Sequence, residues 1–538
     1  MNSRDSFTRD AALARLSDES FDVVVVGAGI AGACTAWDAS MRGLRVALVE
    51  QSDFGAGASA HSLKILHGGI RYLQHLDLQR LKESCSERAA FLRIAPHLTR
   101  PLPIAVPTYG WGIRGKLPLR AAFTLLEMVT RDRNRGIADA RQHIPTPYLL
   151  SRKEILDRLP ELERRGLTGA GVFYDGQIVD PVRLVYAVVR SARQSGAVVA
   201  NYCSATALRT RDSNVEGLAV TDTVSGREFV VRAPIVADVT GPFATRLTPA
   251  LSGREMHVPL SRDMAIVVRR KLLPDMALAL QTKYRDPDAW LSRGNRHLFL
   301  CPWRGMYTLI GVNSRVYEGS AYDLVVTEPE IEQFVSEIRE AWPALNLRRE
   351  DVSVVNAGLL PFGENAPGAK DLSFGHRSQV IDHAAAGGPQ GLYTGMAVRW
   401  TMGRLIGERL TDAFLQRLNR PAQRCLTRET PVWGSEVPRD DGATSALKEG
   451  TASSWPSDAA IARSAREEMV VTLNDLVLRR LDLGTGECPD RPTLEALALV
   501  VGRELGWSAS RQALEVRRVE QSYPFASPAS QAYGEGTA

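Results

Sequence analysis

The segment FDVVVVGAGIAGACTAWDASMRGLRVALVE, residues 21–50, constrains the fold more than any other part of the chain. Val23 to Val26 form an unbroken β-branched run, the pattern of a parallel strand buried on both faces. The run leads into Gly27-x-Gly29-x-x-Gly32 and a helix-compatible stretch from Ala31 to Met41. Gly43 stops that helix, and the apolar RVALVE supplies a second strand. The first glycine permits a tight turn, the second lets backbone approach a pyrophosphate, and the third lets helix and strand pack closely. The N–H groups that open the helix, at Ile30 and Ala31, then offer donors and partial positive charge to phosphates. Glu50 ends the second strand, where a carboxylate accepts both hydroxyls of an adenosine ribose. Together these features make a dinucleotide site, and alone they do not separate FAD from NAD.

The chain has 538 residues, room for about two to four domains. With 44% apolar and 24% charged residues it reads as an ordinary globular protein. A net charge of +5 argues against a dedicated nucleic-acid binder and permits a local basic patch. Cys34, Cys85, Cys203, Cys301, Cys425 and Cys488 are scattered, without a CxxC or a Cys/His cluster at zinc spacing. They read as reduced thiols of a cytoplasmic protein with no structural metal. The opening MNSRDSFTRDAALARLSDES is polar, unlike a signal or transit peptide. No run of about 18 apolar residues occurs, so any membrane contact is expected to be peripheral.

After Glu50 the chain continues QSDFGAGASAHSLKILHGGIRYLQHLDLQRLKESCSERAAFLRIAPHL. This resembles the FAD-dependent glycerol-3-phosphate dehydrogenases: a Ser-rich loop, a Lys, a His-Gly-Gly-x-Arg-Tyr-Leu segment, and a helix rich in Glu and Arg. Gln51, Ser59, Ser62, Lys64, His67, Gly68, Gly69, Arg71, Tyr72, Glu83, Glu87 and Arg88 fall in step with it. The resemblance continues through GVFYDGQIVDPVRLVYAVVRSARQSGAVV (171–199), with Asp180 and Arg183 in place. APIVADVTGPFATRL (233–247) resembles the strand that ends in Thr240-Gly241 beside the adenosine. GLYTGMAVRWTMGRLIGERL (391–410) resembles the C-terminal flavin fingerprint, with Gly395, Arg399, Trp400 and Thr401. AREEMVVTLNDLVLRRLDLG (465–484) resembles the family's C-terminal helical domain, with Arg479-Arg480 in register.

The resemblance implies an α/β + α fold of the D-amino acid oxidase-like kind. A Rossmann-type FAD domain comes from residues 20–100, 171–250 and 366–430, and an antiparallel-sheet substrate domain from 101–170 and 251–365. The polar stretch 436–458 reads as a linker. Beyond it, 459–522 carries apolar residues at helical spacing and forms a C-terminal helical domain.

The implied chemistry is oxidation of a secondary alcohol by hydride transfer to flavin N5, with glycerol-3-phosphate giving dihydroxyacetone phosphate as the default. By the same resemblance His67, Arg71 and Tyr72 line the substrate pocket, with Arg71 on the phosphate. Arg399 stands where the family has a Lys near the flavin's pyrimidine end, keeping the charge and changing the donor geometry. Gly395 begins a helix whose N-terminus adds positive character there. The remaining cofactor contacts fall on the residues named above, from Gly27, Gly29 and Gly32 to Thr401.

Three departures stand at substrate positions. GLLPF puts Leu360 where the family has a phosphate-gripping arginine. SRDMAIVV puts Arg262 at a family Lys and Ala265 at a family His that is a candidate base. GVNS, Gly311 to Ser314, replaces Gly-Thr-Thr-Asp. Removing a guanidinium from a buried phosphate site costs about 2–5 kcal/mol. Arg262 and Arg315 are candidates to replace it from another direction, and His67 becomes the best remaining proton acceptor. The intact cofactor blocks favour altered specificity, toward a non-phosphorylated or larger polyol, a sugar or an amino alcohol, over loss of function. A flavin-binding protein without turnover is a further reading. An NAD-dependent enzyme is disfavoured, because the Ser-rich loop and the 391–410 fingerprint have no role there.

Residues 110–136, GWGIRGKLPLRAAFTLLEMVTRDRNRG, carry Arg114, Lys116, Arg120, Arg131, Arg133 and Arg135 against Glu127 and Asp132. They read either as a basic amphipathic membrane-facing segment or as a packed helix with a solvated basic face. The resemblance implies peripheral attachment at the inner face of a membrane, with quinone or O2 as electron acceptor and a homo-oligomer as one possible assembly. No nucleic-acid partner is expected.

Overall fold

The computed structural model describes residues 8–73, 75, 77–110, 115–285, 295–373, 378–435 and 456–525. Trp111, Arg114 and most of the expected linker, 436–455, lie outside them.

The opening unit folds as its spacing requires. Strands Val23–Val26 and Val46–Val49 pair in parallel, Val23 against Val46 through Val26 against Val49, and every residue of both is buried. The helix between them runs Ile30–Met41. Gly27 has φ +94°, and a Cβ there would lie 2.9 Å from Thr240 Cα. A Cβ on Gly32 would fall 1.8 Å from the carbonyl oxygen of Gly27, so helix and turn approach too closely for any side chain.

Around this unit stands a six-stranded sheet. Its order is Gln379–Asp382, Leu392–Met396, Val236–Asp238, Val23–Val26, Val46–Val49, Val198–Ala200, parallel except for the first pair. The β-branched strands and the helices Ile30–Met41, Pro181–Gln194 and Gly403–Arg417 bury one another in the largest apolar cluster. A three-stranded antiparallel meander, Cys203–Arg211, Asn214–Asp222 and Glu228–Arg232, closes that cluster with Val215, Leu218 and Val220.

A second, mostly antiparallel sheet of nine described strands holds Leu260–Val268 between Tyr307–Tyr317 and Val352–Pro361. Its far side carries Thr99–Tyr109 paired with Leu167–Ile178, and the short Ile65–Leu66. The chain therefore returns to the first sheet after Ile178, and not at 171 as the resemblance implied, because 171–178 continue the long pairing with Thr99–Tyr109. The helix Glu328–Ala341 covers the outer face through Ile331, Phe334, Val335 and Ile338.

The C-terminal helices Asp458–Glu467, Arg491–Leu505 and Ala509–Gln521 share a small core of their own. Charge docks them on the first unit. Asp53 is fully buried and takes Arg480 through both oxygens at 2.8 Å, Arg479 Nε at 2.8 Å and Asn201 Nδ2 at 2.9 Å. Arg183 forms a two-point pair with Glu468 at 2.7 and 3.0 Å. Such forked pairs fix orientation as well as attraction. The fold is the D-amino acid oxidase-like one, with the helical region appended.

Candidate active site

Between the two sheets lies a cavity of about 830 Å³ that runs from the Gly27 turn to the strands of the larger sheet. At its first end the backbone is tied down from within. Ala28 N donates to Glu50 Oε2 at 2.7 Å, Ser52 N to Glu50 Oε1 at 2.9 Å, and Ile30 N to Ser59 Oγ at 3.0 Å. Burial pushes the Glu50 carboxyl upward against these backbone donors. Gln51, Ala31, Thr240 and Gly241 complete this end, with the Thr240 hydroxyl donating to Asp238 at 2.6 Å. Gly32 stands behind the turn, packed on its carbonyl.

The middle of the cavity is lined by Ser59, Ser62, Gly69, Gly395, Arg399, Trp400 and Thr401. Trp400 Nε1 donates to the Ser59 carbonyl at 3.3 Å, and its ring sits 5.1 Å from Phe91. Gly395 does not open a helix: it lies inside the strand Leu392–Met396, where a Cβ would meet Leu410 Cδ1 at 2.6 Å. The helix begins later, at Gly403, after a single turn over Trp400–Met402. Gly403 is crossed there by Ile30, whose Cγ2 would be 2.9 Å from a Cβ.

The segment ILHGGIRYL forms one wall. His67 Nδ1 stands 3.4 Å from Asp175 Oδ2, and the ring meets Phe299 edge-on at 5.9 Å. Asp175, from the strand Leu167–Ile178, also accepts from Gly68 N at 2.7 Å and Arg88 Nη1 at 2.8 Å. Burial would raise its pKa; the His67 contact, the Arg88 charge and the Gly68 N–H outweigh burial and hold it below the usual carboxylate range. A Cβ on Gly68 would sit 2.1 Å from Arg88 Nη1, so this glycine makes way for the Arg88–Asp175 pair and is not itself on the cavity surface. Gly69, at φ +81°, is crowded by the Tyr72 ring, 2.7 Å from a Cβ placed there. The buried Tyr72 ring is covered by the guanidinium of Arg399 at 4.5 Å and that of Arg80 at 5.3 Å. Arg71 falls in the turn Ile70–Leu73, and its side chain lies outside the described residues.

Two expected site residues point elsewhere. Lys64, at φ +61°, is buried with its ammonium 4.9 Å from the Trp303 ring and does not line the cavity. Burial pushes it down to about 8, with Asp180 acting to raise it and Arg304 to lower it. Arg262 faces the outer side of the strand Leu260–Val268 and pairs with Glu330 at 2.6 Å. Strand side chains alternate, so Ser261, Asp263 and Ala265 take the cavity side and Arg262 cannot. Arg315 approaches the same Glu330, at 3.6 Å. Neither arginine replaces a guanidinium at Leu360, which does line the cavity.

Asp175, Asp263, Arg296 and His297 are cavity residues the sequence reading passed over. Asp263 was within reach, since it lies two residues from Ala265 on the same face.

The chain matches the family described as FAD dependent oxidoreductase over residues 22–413. A glycerol-3-phosphate dehydrogenase of Synechocystis sp. is 28% identical over 427 residues, covering 78% of this chain and 75% of the relative. The mitochondrial glycerol-3-phosphate dehydrogenase of Homo sapiens is 31% identical over 441 residues, covering 78% of this chain. The chain spans 56% of that relative's length. Among solved structures, the glycerol-3-phosphate dehydrogenase from Bacillus halodurans complexed with FAD has a TM-score of 0.72 at 22% identity, covering 96% of this chain and 97% of the other. An L-alpha-glycerophosphate oxidase from Mycoplasma pneumoniae with FAD bound has a TM-score of 0.52 at 15% identity, covering 77% and 100%.

FAD fits the residues present. The glycine turn stands on the cavity wall at Gly27 and Gly29, and the helix N-terminus at Ile30 opens beside it. Glu50 offers a carboxylate to a ribose, and the cavity is continuous from there to Arg399 and His67.

Proposed function

This chain belongs to the FAD dependent oxidoreductase family, and from that premise we propose that it oxidises the secondary alcohol of glycerol-3-phosphate to dihydroxyacetone phosphate. The observation that carries the reading is the His67–Asp175 pair, set on a cavity continuous with the dinucleotide cradle. The names of the curated relatives support the choice of alcohol.

FAD, when bound, takes up the hydride of the alcohol carbon at its N5. The chain's own residues supply the rest. With Nδ1 turned to Asp175, His67 offers Nε2 to the substrate hydroxyl and accepts its proton. Asp175, kept ionised by Arg88 and Gly68 N–H, stabilises the imidazolium that forms and holds the ring in place. Arg399, stacked on Tyr72, holds positive charge on the cavity wall, where it would offset the negative charge that reduction adds to bound FAD. We assign Arg71 to the phosphate on the strength of its place in the ILHGGIRYL segment. Quinone or O2 would serve as the electron acceptor.

We also propose peripheral contact with a membrane through the helix Lys116–Val129. Leu117 is 79% and Met128 63% exposed, and Arg120 and Arg131 are exposed nearby. No helix among the described residues is long and apolar enough to cross a membrane.

A second reading, the same machinery acting on another alcohol, draws on Leu360 and Asp263 in the cavity wall. An anaerobic screen separates the two. The purified protein should be yellow, and glycerol-3-phosphate should bleach it faster than glycerol, sugar alcohols or amino alcohols. Bleaching by one of those others alone would transfer the assignment to that alcohol.

A further inference from the structure

The larger sheet presents three adjacent strands to the cavity: Val352–Pro361, Leu260–Val268 and Tyr307–Tyr317. Asp263 stands opposite Ser314 on one neighbour and Gly358 on the other, while Ser261 stands opposite Leu360. Residues directly opposite in a sheet share a face. This wall therefore offers Ser261, Ser314, Ala265 and Leu360 around a single carboxylate.

That carboxylate is lightly engaged. Ser261 Oγ lies 3.0 Å from Oδ1, and the Ser314 hydroxyl is a second partner. Arg262, its chain neighbour, is committed to Glu330 on the other face. Arg296 acts on Asp263 only at longer range; it donates to the Lys370 carbonyl and lies over Tyr284. Two carboxylate oxygens offer about four acceptor sites, and two serines do not fill them. Burial drives the Asp263 carboxyl upward, as expected for an acid enclosed without a cation at contact. Of the cations on the cavity surface, Arg296 is engaged by the Lys370 carbonyl and Tyr284, while Arg399 and Arg80 lie over Tyr72.

A substrate seated here meets an acceptor on one wall and guanidinium groups around Tyr72. An anionic end turned toward Asp263 is repelled, and a methyl group there leaves the acceptor sites not taken by the two serines without a donor. We propose that Asp263 is a specificity-determining residue, accepting a hydrogen bond from a free hydroxyl of the substrate and turning any anionic end toward Arg399 and Arg80. The inference rests on the proposed function only in taking the substrate to be a polyol.

The test compares anaerobic flavin reduction by glycerol-3-phosphate and by propane-1,2-diol 1-phosphate, in which the terminal hydroxyl is replaced by hydrogen. The wild-type protein should prefer glycerol-3-phosphate by about 10- to 100-fold in second-order rate constant, the usual weight of a hydrogen bond to a charged group. D263A should bring the two within about threefold by slowing glycerol-3-phosphate alone, with FAD content unchanged. D263N, close to isosteric and uncharged, should keep part of the preference and serves if D263A fails to fold. A full preference retained in either variant, or no preference in the wild type, overturns the proposal. If glycerol-3-phosphate does not bleach the flavin at all, the proposed function falls, and Asp263 is read from the flavin absorbance shift on binding glycerol against propane-1,2-diol. Equal binding of those two overturns it in turn.

Discussion

His67 owes its place to a short chain of local causes. A glycine at 68 admits Arg88, Arg88 charges Asp175, and Asp175 faces the imidazole. A proton acceptor in this role contributes about 10²- to 10⁴-fold. H67N should therefore slow anaerobic flavin bleaching by about that factor while FAD content stays normal; bleaching at the wild-type rate would remove His67 from the chemistry. Lys64 makes a different prediction. Its folded pKa is about 8 against an ordinary 10.5, so between those values the unfolded chain binds the extra proton. Stability should rise with pH across that window, and K64M should flatten the rise, as read by denaturant melts from pH 8 to pH 10.5. An equal slope in both proteins would contradict the burial of a charged ammonium at Trp303. The two residues also show what a sequence conceals at this scale. Both stand in step with a family pattern, yet a left-handed backbone at Lys64 turns one of them away from the cavity.

At the scale of elements, the β-α-β unit was readable because its causes are local: a β-branched run, three spaced glycines and a carboxylate on the next strand. Strand parity is legible in the same way. Counting by twos from Ala265 puts Asp263 in the cavity and Arg262 outside it. The helix start at Gly403 was hidden, since Gly395 is demanded by the crossing of Leu410, a contact between elements. The docking of the C-terminal helices was equally hidden: Asp53 meets Arg479 and Arg480 across more than 420 residues of chain. That cluster holds Asp53 at about 2, the two guanidinium charges outweighing a burial effect that would raise it. Its contribution is complete above the ordinary 3.8 and is lost as pH falls through about 2. Arg480→Met leaves a buried carboxylate short of one partner and should cost about 3–5 kcal/mol in urea unfolding. Because Asp53 lies between Gln51 and Ser59 of the cavity wall, FAD should be released in the same transition. A variant as stable as the wild type would show that the helices dock by their apolar contacts alone.

For the whole molecule, the two sheets enclose one cavity, the first lining it with the Gly27 turn and Glu50, the second with Ser261, Asp263 and Leu360. Leu360 and Ala265, the departures read from the resemblance at substrate positions, fall on the second, while the first keeps its glycines and Glu50. The proposed membrane contact rests on the helix Lys116–Val129, which turns Leu117 and Met128 outward. Cosedimentation with anionic vesicles should fall on L117E/M128E and with rising salt, and binding unaffected by both would remove the membrane assignment. The central claim is tested most directly by one single-turnover measurement. Glycerol-3-phosphate is mixed anaerobically with the yellow protein, and flavin bleaching and product are followed together. The account predicts one dihydroxyacetone phosphate for each flavin bleached; a flavin that stays oxidised under excess glycerol-3-phosphate would contradict it.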